Sequence, residues 1–352
     1  MTANRRRIPP APDAFANGEM VLEHTDPLEP RWIWPGWIAR GMVHMLDGDE
    51  GSGKSAIANW FVSVASRKRA RWPGDQDREG ETGILVAHYA GESPWAYTTA
   101  RDLQANKAHL PRVLRMKADG FYRALGQVEW MAHHERIPTP DLVVLDTWAH
   151  YASFDDIEEI KNQQITVALS ELAELCEEHD IAALVLMHTR KYSRGGTVRE
   201  RGRGGSAHRA VPRIVMSVEV DHADPERPRI LARTKENLRI SLEGGFRVVM
   251  KGDQSLTYTA VPGYGPDLIE EAMRSSDDAA RGPTKGDQVT AYIDEHGPTT
   301  YRALSEALGW TAKELANALN TLPAGWSRRV TEEEAWELKV DSRSRIVERP
   351  TS

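Results

Sequence analysis

The chemistry of this sequence begins at a glycine-rich octet near its start. The residues of the octet are Gly48, Asp49, Glu50, Gly51, Ser52, Gly53, Lys54 and Ser55. Glycines let successive backbone N–H groups turn toward a phosphate, and the lysine after them reaches the terminal phosphates of a nucleotide. The serine after the lysine supplies a hydroxyl ligand for Mg²⁺. This order is that of a P-loop, so we expect ATP and Mg²⁺ as cofactors.

The flanking sequence supplies the context that a P-loop requires, a strand before it and a helix after it. Residues 42–47 form a short apolar run, and residues 56–64 are rich in apolar side chains. Asp49 and Glu50 add negative charge, but they occupy free positions of the pattern. The residues predicted to bind the phosphates are Gly48, Gly51, Ser52, Gly53, Lys54 and Ser55.

Two acidic residues follow apolar runs further along the chain. Asp146 ends the run at 142–146, and Glu92 is separated from the run at 84–89 by two residues. The carboxyl ends of parallel strands meet at one edge of a sheet, so both side chains are expected beside the phosphates. There Asp146 with Ser55 is suited to hold Mg²⁺, and Glu92 to polarise an attacking water. The alternatives are that Asp146 caps the next segment and that Glu92 is a solvated loop residue.

The apolar runs also indicate how the chain is folded. Those separated by helical stretches predict a parallel sheet with both faces covered, and they lie at 42–47, 84–89, 142–146 and 181–187. Later runs are joined by turn-rich segments too short for long helices, and they lie at 214–220, 229–234 and 246–250. We expect these later runs to extend the sheet with antiparallel strands. The predicted fold class is α/β.

Several motifs occur between residues 32 and 250 in an order that resembles one known family. They are Trp-Ile-Trp-Pro-Gly at 32–36, the P-loop, Gly-Glu-Ser-Pro at 91–94 with Arg101 one helix further on, Asp146, His-Thr-Arg-Lys at 188–191, and Arg-Gly-Gly-Ser-Ala at 203–207 leading to Arg213. This order resembles the RecA/DnaB-like superfamily of P-loop ATPases, and within it the hexameric replicative helicase RepA of plasmids and its phage relatives. The resemblance implies a RecA-like core and a homo-oligomeric ring, a hexamer. In that family a glycine usually precedes the lysine of the histidine motif, where this chain has Arg190.

The resemblance implies roles for further residues. Glu92 is similar to the catalytic base and His188 to the γ-phosphate sensor, while Arg213 or Lys235 resembles the residue that completes a neighbouring subunit's site. His188 follows the run at 181–187, which predicts that it lies at the same sheet edge as Lys54. The alternative is a structural histidine with ordinary hydrogen bonds.

A strongly basic segment follows His188. Its positive residues, set among glycines and opposed only by Glu200, are Arg190, Lys191, Arg194, Arg199, Arg201 and Arg203. In ring motors a segment in this position faces the central channel and grips the nucleic-acid backbone. We therefore expect these six residues to bind single-stranded DNA. Tyr192 is the only aromatic residue here, so base stacking should be minor; the alternative is a solvated basic loop.

The tail has the spacing of a small helical domain. Helices are predicted at 285–295, 301–308 and 312–322, with Gly309 as a turn, and residues 328–330 and 336–340 are candidates for a wing. This resembles a winged-helix domain. Between residues 282 and 340 there are six Lys or Arg residues and nine Asp or Glu residues. DNA contact and binding of a partner such as a replication protein are both left open for this domain.

Composition limits the classes of protein. A formal net charge of −7 and a pI near 6.0 argue against a globally basic nucleic-acid coat. The single cysteine, Cys176, lies in a helical pattern, is predicted to be buried, and excludes a disulfide framework. No apolar run approaches the roughly 18 residues that span a bilayer, and residues 1–7 are not followed by a signal-peptide core. We expect a cytoplasmic protein with no membrane contact.

The predicted organisation has four parts. They are a flexible, proline-rich N-terminal arm at 1–30, a RecA-like ATPase domain at 31–262, a linker at 263–283 and the winged-helix-like domain at 284–345. The predicted function is an ATP-dependent, ring-forming DNA helicase or translocase of the RepA type in phage or plasmid replication. One alternative is a nucleotide-gated DNA-binding mediator of recombination or replication that does not unwind. Another is a small-molecule kinase, against which Glu92 and the basic segment argue.

Overall fold

A computed structural model describes most of the chain. The described residues are 29–74, 80–92, 94–157, 162–188, 207–241, 243–281, 284–322, 326–329 and 345–348. The chain divides into a unit at Met1–Arg31 and a unit at Trp32–Ser352. All elements named below belong to the second unit.

The first part of this unit alternates strands with helices. Its elements are β1 (Trp32–Trp34), β2 (Ile38–Ala39), β3 (Val43–Gly48), α1 (Lys54–Ser66), β4 (Val86–Ala90), α2 (Thr99–Ala105), β5 (Val113–Met116), α3 (Phe121–His133), β6 (Leu142–Asp146), α4 (Trp148–Phe154), α5 (Asn162–Glu178) and β7 (Ala182–His188). The four runs predicted as parallel strands are confirmed as β3, β4, β6 and β7. The sequence reasoning missed β5, whose side chains are only partly buried.

The second part of the unit contains mostly strands. Its elements are α6 (Ala207–Ala210), β8 (Ile214–Val220), β9 (Arg229–Glu236), β10 (Gly245–Met250), β11 (Leu256–Val261) and α7 (Pro266–Arg281). The three predicted runs are strands, and β11 is a further strand that the sequence reasoning missed.

These strands form a nine-stranded sheet in the order β11-β10-β9-β8-β3-β7-β6-β4-β5. The strands from β8 to β5 in this order pair in parallel, whereas β9, β10 and β11 pair antiparallel. The predicted α/β fold with a mostly parallel sheet is confirmed. The prediction that residues 214–220 begin the antiparallel part is wrong, because β8 runs parallel to β3. The long connection from β7 to β8 leaves room for a crossover.

Each face of the sheet is covered by a separate apolar cluster. One cluster contains α1 and a group of tryptophans, in which Trp34 stacks on Trp37 and Trp72 at centroid distances of 4.8 and 5.0 Å. The other is formed with α3, α4 and α5, and it includes Cys176. The cysteine is 0% exposed, which confirms its predicted burial.

The segment expected as a linker is largely a helix. Within residues 263–283, α7 packs on β9, where Ile269, Ala272 and Met273 contact Ile230 and Ala232. The linker assignment for 263–283 stays a prediction, and the structure adds that most of this stretch is helical. Its Gly, Pro, Ser and Asp content predicts a linker, and the spacing of three and four residues between its apolar side chains is that of a helix face.

The tail forms a small cluster of helices and strands. Its elements are α8 (Lys285–His296), β12 (Thr299–Thr300), α9 (Tyr301–Leu308), α10 (Ala312–Leu319), β13 (Ser327–Arg329) and β14 (Arg345–Val347). The strands pair antiparallel in the order β12-β14-β13. Capping boxes begin α8 at Thr284 and α10 at Thr311. The three helices are confirmed, while residues 336–340 of the expected wing lie outside the described residues.

Among the described helices, none is long and apolar enough to cross a membrane.

Candidate active site

The register of the sheet brings the predicted site residues to one edge. Gly48 at the end of β3 pairs with His188 at the end of β7. Ala90 at the end of β4 pairs with Asp146 at the end of β6. Glu92 follows β4 after one residue, Gly91. Because these four parallel strands end together, the P-loop, both carboxylates and the histidine share one edge, as predicted.

The backbone of the P-loop is shaped to receive an anion. A side chain at Gly48 would collide with the carbonyl oxygen of Val218, so only glycine fits there. Gly53, the N-cap of α1, has φ 95°, a conformation that favours glycine. No side chain caps α1, and the hydroxyl of Ser52 is buried without a hydrogen-bond partner among the described residues. A phosphate would satisfy both sets of donors.

Lys54 lies buried against the loop that it follows. Its Nζ donates to the carbonyl oxygens of Gly48 at 2.9 Å and Asp49 at 2.8 Å. Burial lowers the pKa of Lys54, and nearby carboxylates, Glu219 foremost, oppose this shift. An ammonium group held only by backbone carbonyls is ready to turn to phosphate oxygens.

Ser55 and Asp146 form the oxygen-rich side of the site. The Ser55 hydroxyl donates to Asp146 Oδ1 at 3.0 Å. Asp146 is 4% exposed, and this burial raises its pKa to about 6 against the effects of Ser55 and Lys54. A hydroxyl and a carboxylate are the ligands that Mg²⁺ prefers, and a cation here would offset the burial of the charge. Thr147, not Asp146, is the N-cap of α4, so the capping alternative for Asp146 does not hold.

Glu92 is held through both of its carboxylate oxygens. Oε1 accepts a hydrogen bond of 2.5 Å from the Thr147 hydroxyl. Oε2 lies 3.8 Å from His188 Nε2, which is an ion-pair distance. His188 first, and then Thr147, hold the pKa of Glu92 down to about 2 against the effect of burial. Glu92 is therefore an oriented carboxylate at neutral pH.

One comparison with known proteins covers the residues of this site. A family model described as AAA domain (AAA_25) matches residues 12–194, which is more than half of the chain. The chain belongs to this AAA domain family. The matched part includes the P-loop, Glu92, Asp146 and His188.

The other comparisons are weaker. The crystal structure of the RadB recombinase aligns at 14% identity with a TM-score of 0.43, over 62% of this chain and 91% of that chain. No curated protein matches the chain in sequence. The family match, the mostly parallel sheet and the P-loop together show a P-loop domain of the AAA family with an α/β fold.

A buried polar network ties the P-loop strand of the AAA domain to α6. Arg209 donates to Asp47 Oδ2 at 2.7 Å and to the Thr234 hydroxyl at 2.7 Å. The hydroxyl of Ser217 donates to the other Asp47 oxygen and lies 2.8 Å from that of Thr234. Asp47 and Arg209 have side chains only 3% and 7% exposed. The sequence reasoning assigned no role to any of these four residues.

The two candidates for a residue acting in a neighbouring subunit differ sharply. Lys235 Nζ donates to the carbonyl oxygens of Arg209 and Ala210, which end α6, and to that of Pro212 just beyond it. Burial lowers the pKa of Lys235 to about 8. Arg213 is exposed. Thus Lys235 already serves as a cap within its own chain, whereas the side chain of Arg213 is accessible.

Arg229 is a further cation beside the P-loop that the sequence reasoning missed. Its Nε is buried without a hydrogen-bond partner among the described residues, and a Cβ on Gly53 would lie 3.3 Å from it. It stands at the start of β9, which pairs antiparallel with β8. Its only sequence signal was its place at the beginning of a predicted strand.

The six residues predicted to bind DNA lie outside the described residues. They are Arg190, Lys191, Arg194, Arg199, Arg201 and Arg203.

Proposed function

We propose that this protein is an ATP-hydrolysing, ring-forming DNA helicase or translocase of the RepA type. One observation carries the proposal. His188 contacts the oriented carboxylate of Glu92, and the chain continues from His188 directly into the basic segment at 190–203. The hydrolysis site and the cationic segment are therefore adjacent along the chain.

The residues of the site suit phosphoryl transfer to water. Lys54 exchanges its bonds to the Gly48 and Asp49 carbonyls for bonds to the β and γ phosphates. Ser55 and Asp146 would hold Mg²⁺, which supplies charge neutralisation at the phosphates when bound. Because the pKa of Glu92 is about 2, its carboxylate acts mainly by orienting and polarising the attacking water. Proton transfer to it becomes easier once the contacts from His188 and Thr147 relax.

The basic segment has fixed points on both sides. On one side His188 senses the Glu92 carboxylate and, with nucleotide bound, the γ-phosphate. On the other side α6 is anchored to β3 by the Arg209–Asp47 pair. A change at the phosphates can therefore reach both ends of a segment that grips single-stranded DNA. This arrangement supports a motor rather than a metabolite kinase.

We assign the trans-acting role to Arg213. It is exposed, while all three carbonyl contacts of Lys235 lie within its own chain. In a ring of identical subunits an exposed arginine next to the sheet can complete the site of a neighbour, as arginine fingers do.

The tail is proposed as a winged-helix-like domain. Its excess of acidic over basic residues favours a replication protein over DNA as its partner.

The deciding experiment measures ATP hydrolysis with and without single-stranded DNA, and strand separation on a forked duplex, for the wild-type protein and Glu92→Gln. A helicase gives DNA-stimulated hydrolysis and strand separation that both disappear in Glu92→Gln. A mediator binds DNA when ATP is bound, and Glu92→Gln would retain that binding without any strand separation by the wild type. The second result would replace the helicase proposal. ATP hydrolysis that is not changed by DNA, without DNA binding, would contradict both the helicase and the mediator proposals.

A further inference from the structure

A second cluster of ligand-type side chains lies at the opposite end of the sheet from the phosphate site. His133 is the last residue of α3, Glu178 is the last residue of α5, and His179 follows it. The two imidazoles and the carboxylate each offer one donor atom, and these atoms all lie within 4.8 Å of one another. The cluster precedes the start of β7, whereas the phosphate site lies where β7 ends.

Among the residues that the structure describes, the three side chains have no competing partners. The His133 and His179 rings meet edge to face, with centroids 4.9 Å apart and planes 88° apart. Neither ring nor the Glu178 carboxylate makes a hydrogen bond or ion pair with another described side chain. His133 and Glu178 are exposed and His179 is half-buried, so their donor atoms remain accessible to an ion.

The electrostatics of the two helix ends favour a cation. α5 ends on Glu177 and Glu178 and has no basic residue in its last turn. Carboxylates at a helix C-terminus add to the negative end of the helix dipole, which is unfavourable unless a cation is near. α3 also directs its C-terminus here and ends on His133. Two negative helix ends therefore converge where the donor atoms lie.

We propose that His133, Glu178 and His179 bind one Zn²⁺ ion that clamps α3 to α5. Two imidazole nitrogens and one carboxylate oxygen form a ligand set of zinc, with water in the fourth position, whereas Mg²⁺ and Ca²⁺ prefer oxygen ligands alone. Ligand atoms around tetrahedral zinc stand roughly 3.4 Å apart, given bonds of about 2.1 Å. The donor atoms lie within 4.8 Å of one another, so binding requires a modest side-chain rotation, for which the exposed His133 and Glu178 are free. The site is separate from the nucleotide site and does not depend on the proposed helicase function.

The test is a zinc titration of the untagged, full-length protein after treatment with a chelator and dialysis, in excess Mg²⁺, with a chromophoric chelator as competitor. The wild type should bind one ion per chain. His133→Ala, His179→Ala and Glu178→Gln should each weaken binding by at least about tenfold, since loss of even an outer-shell partner costs 10- to 100-fold. His134→Ala is the matched control, because His134 is adjacent in sequence but its ring packs on Trp130.

Two further measurements keep the outcome clear. Zn²⁺ should raise the melting temperature of the wild type and of His134→Ala, but not that of the double variant His133→Ala/His179→Ala. Lys54→Ala should keep full zinc stoichiometry, which separates this site from the nucleotide site. If Glu178→Gln, with a native circular dichroism spectrum, binds zinc as tightly as the wild type, or if the double variant retains one ion per chain, the proposal is wrong.

Discussion

Arg209 donates a hydrogen bond across 2.7 Å to Asp47, and both side chains are buried in the interior of the ATPase core. Asp47 is the residue before Gly48 at the end of the P-loop strand, and Arg209 belongs to the helix that follows the basic segment. The pair therefore links the phosphate-binding loop to the segment proposed to bind DNA. Its contribution to stability and coupling can be measured.

Replacing Arg209 with Met should lower the free energy of unfolding by about 3–5 kcal/mol, because a buried carboxylate loses its ionic partner. The double variant Asp47→Leu/Arg209→Met should recover much of this loss, since an apolar pair leaves no unpaired charge. Urea denaturation measures both. Arg302→Met is the control, because its partner Glu306 and Arg302 itself are exposed, and it should leave the free energy of unfolding nearly unchanged. Equal losses in Arg209→Met and the double variant would contradict the ion-pair explanation.

Glu92→Gln should bind ATP normally but reduce hydrolysis by about 10²–10⁴-fold, because it keeps the shape of the side chain and loses the charge that polarises water. Lys54→Ala should weaken ATP binding as well as abolish hydrolysis. Nucleotide binding and single-turnover hydrolysis distinguish the two. Glu50→Gln serves as the control, since Glu50 is exposed in a free position of the P-loop. Near-normal turnover in Glu92→Gln would remove Glu92 from the mechanism.

Arg213→Ala should bind ATP and reduce hydrolysis by about 10³-fold or more, as loss of an arginine finger does. Mixing it with Glu92→Gln subunits should restore some hydrolysis, because one kind of mixed interface then contains both intact residues. Lys235→Met should instead destabilise the fold, because the carbonyl oxygens that end α6 lose their donor. Failure of Arg213→Ala to be complemented, in rings shown to mix, would count against its role in trans.

Replacing Arg194, Arg199 and Arg201 together with Ala should weaken single-stranded DNA binding and flatten its salt dependence. Each lost phosphate contact reduces by about 0.7 the steepness of the plot of log binding constant against log salt concentration. The triple variant should therefore lose roughly 2 units of this slope. ATP binding and basal hydrolysis should persist, while stimulation by DNA disappears. The measurement is hydrolysis and DNA binding across a salt series.

A charge-matched control for this triple variant is available on the described surface. Arg123, Arg136 and Arg227 are exposed and are distant in sequence from the basic segment. Replacing these three with Ala changes the net charge by the same amount and should leave the salt slope and the stimulation unchanged. If both triple variants behave alike, general charge and not a DNA-gripping segment explains the effect.

Asp146→Asn should stabilise the nucleotide-free protein at pH 8 but not at pH 4. The pKa of Asp146 is raised from 3.8 to about 6, so the native state holds this proton more tightly than the unfolded state does. In the wild type, the stabilising effect of this bound proton is present below about pH 4 and is lost as the pH rises through 6. At pH 8 the free energy of unfolding should rise by at most about 3 kcal/mol, the equivalent of a pKa shift of about two units. Melting temperatures of both proteins across this range, without Mg²⁺, provide the check; a constant difference would contradict it.

The site residues that could be predicted are those whose position follows from local sequence. Lys54, Glu92, Asp146 and His188 each stand in a motif or directly after an apolar run, and parallel strands place such ends together. Asp47 and Arg209 are 162 positions apart. Their pairing depends on which strands become neighbours, and apolar periodicity does not encode this.

Two features of the fold were not predicted, for different physical reasons. The parallel direction of β8 depends on how a long connection crosses the sheet, which strand composition alone does not reveal. The helix α7 was hidden by the Ser and Asp residues around it, although Ile269 and Met273 had helical spacing. In that stretch the helical period of the apolar residues is a better guide to structure than the polar composition.

The burial of Cys176 has a practical consequence for attaching a spectroscopic label to this protein. It is the only cysteine, it is 0% exposed, and burial raises the pKa of its thiol above the usual range. Thiol reagents, which attack exposed thiolates, should leave the native protein unmodified. A cysteine introduced at an exposed, described position such as Arg123 would then be the single reactive thiol of the chain, so a fluorophore could be attached at that position alone.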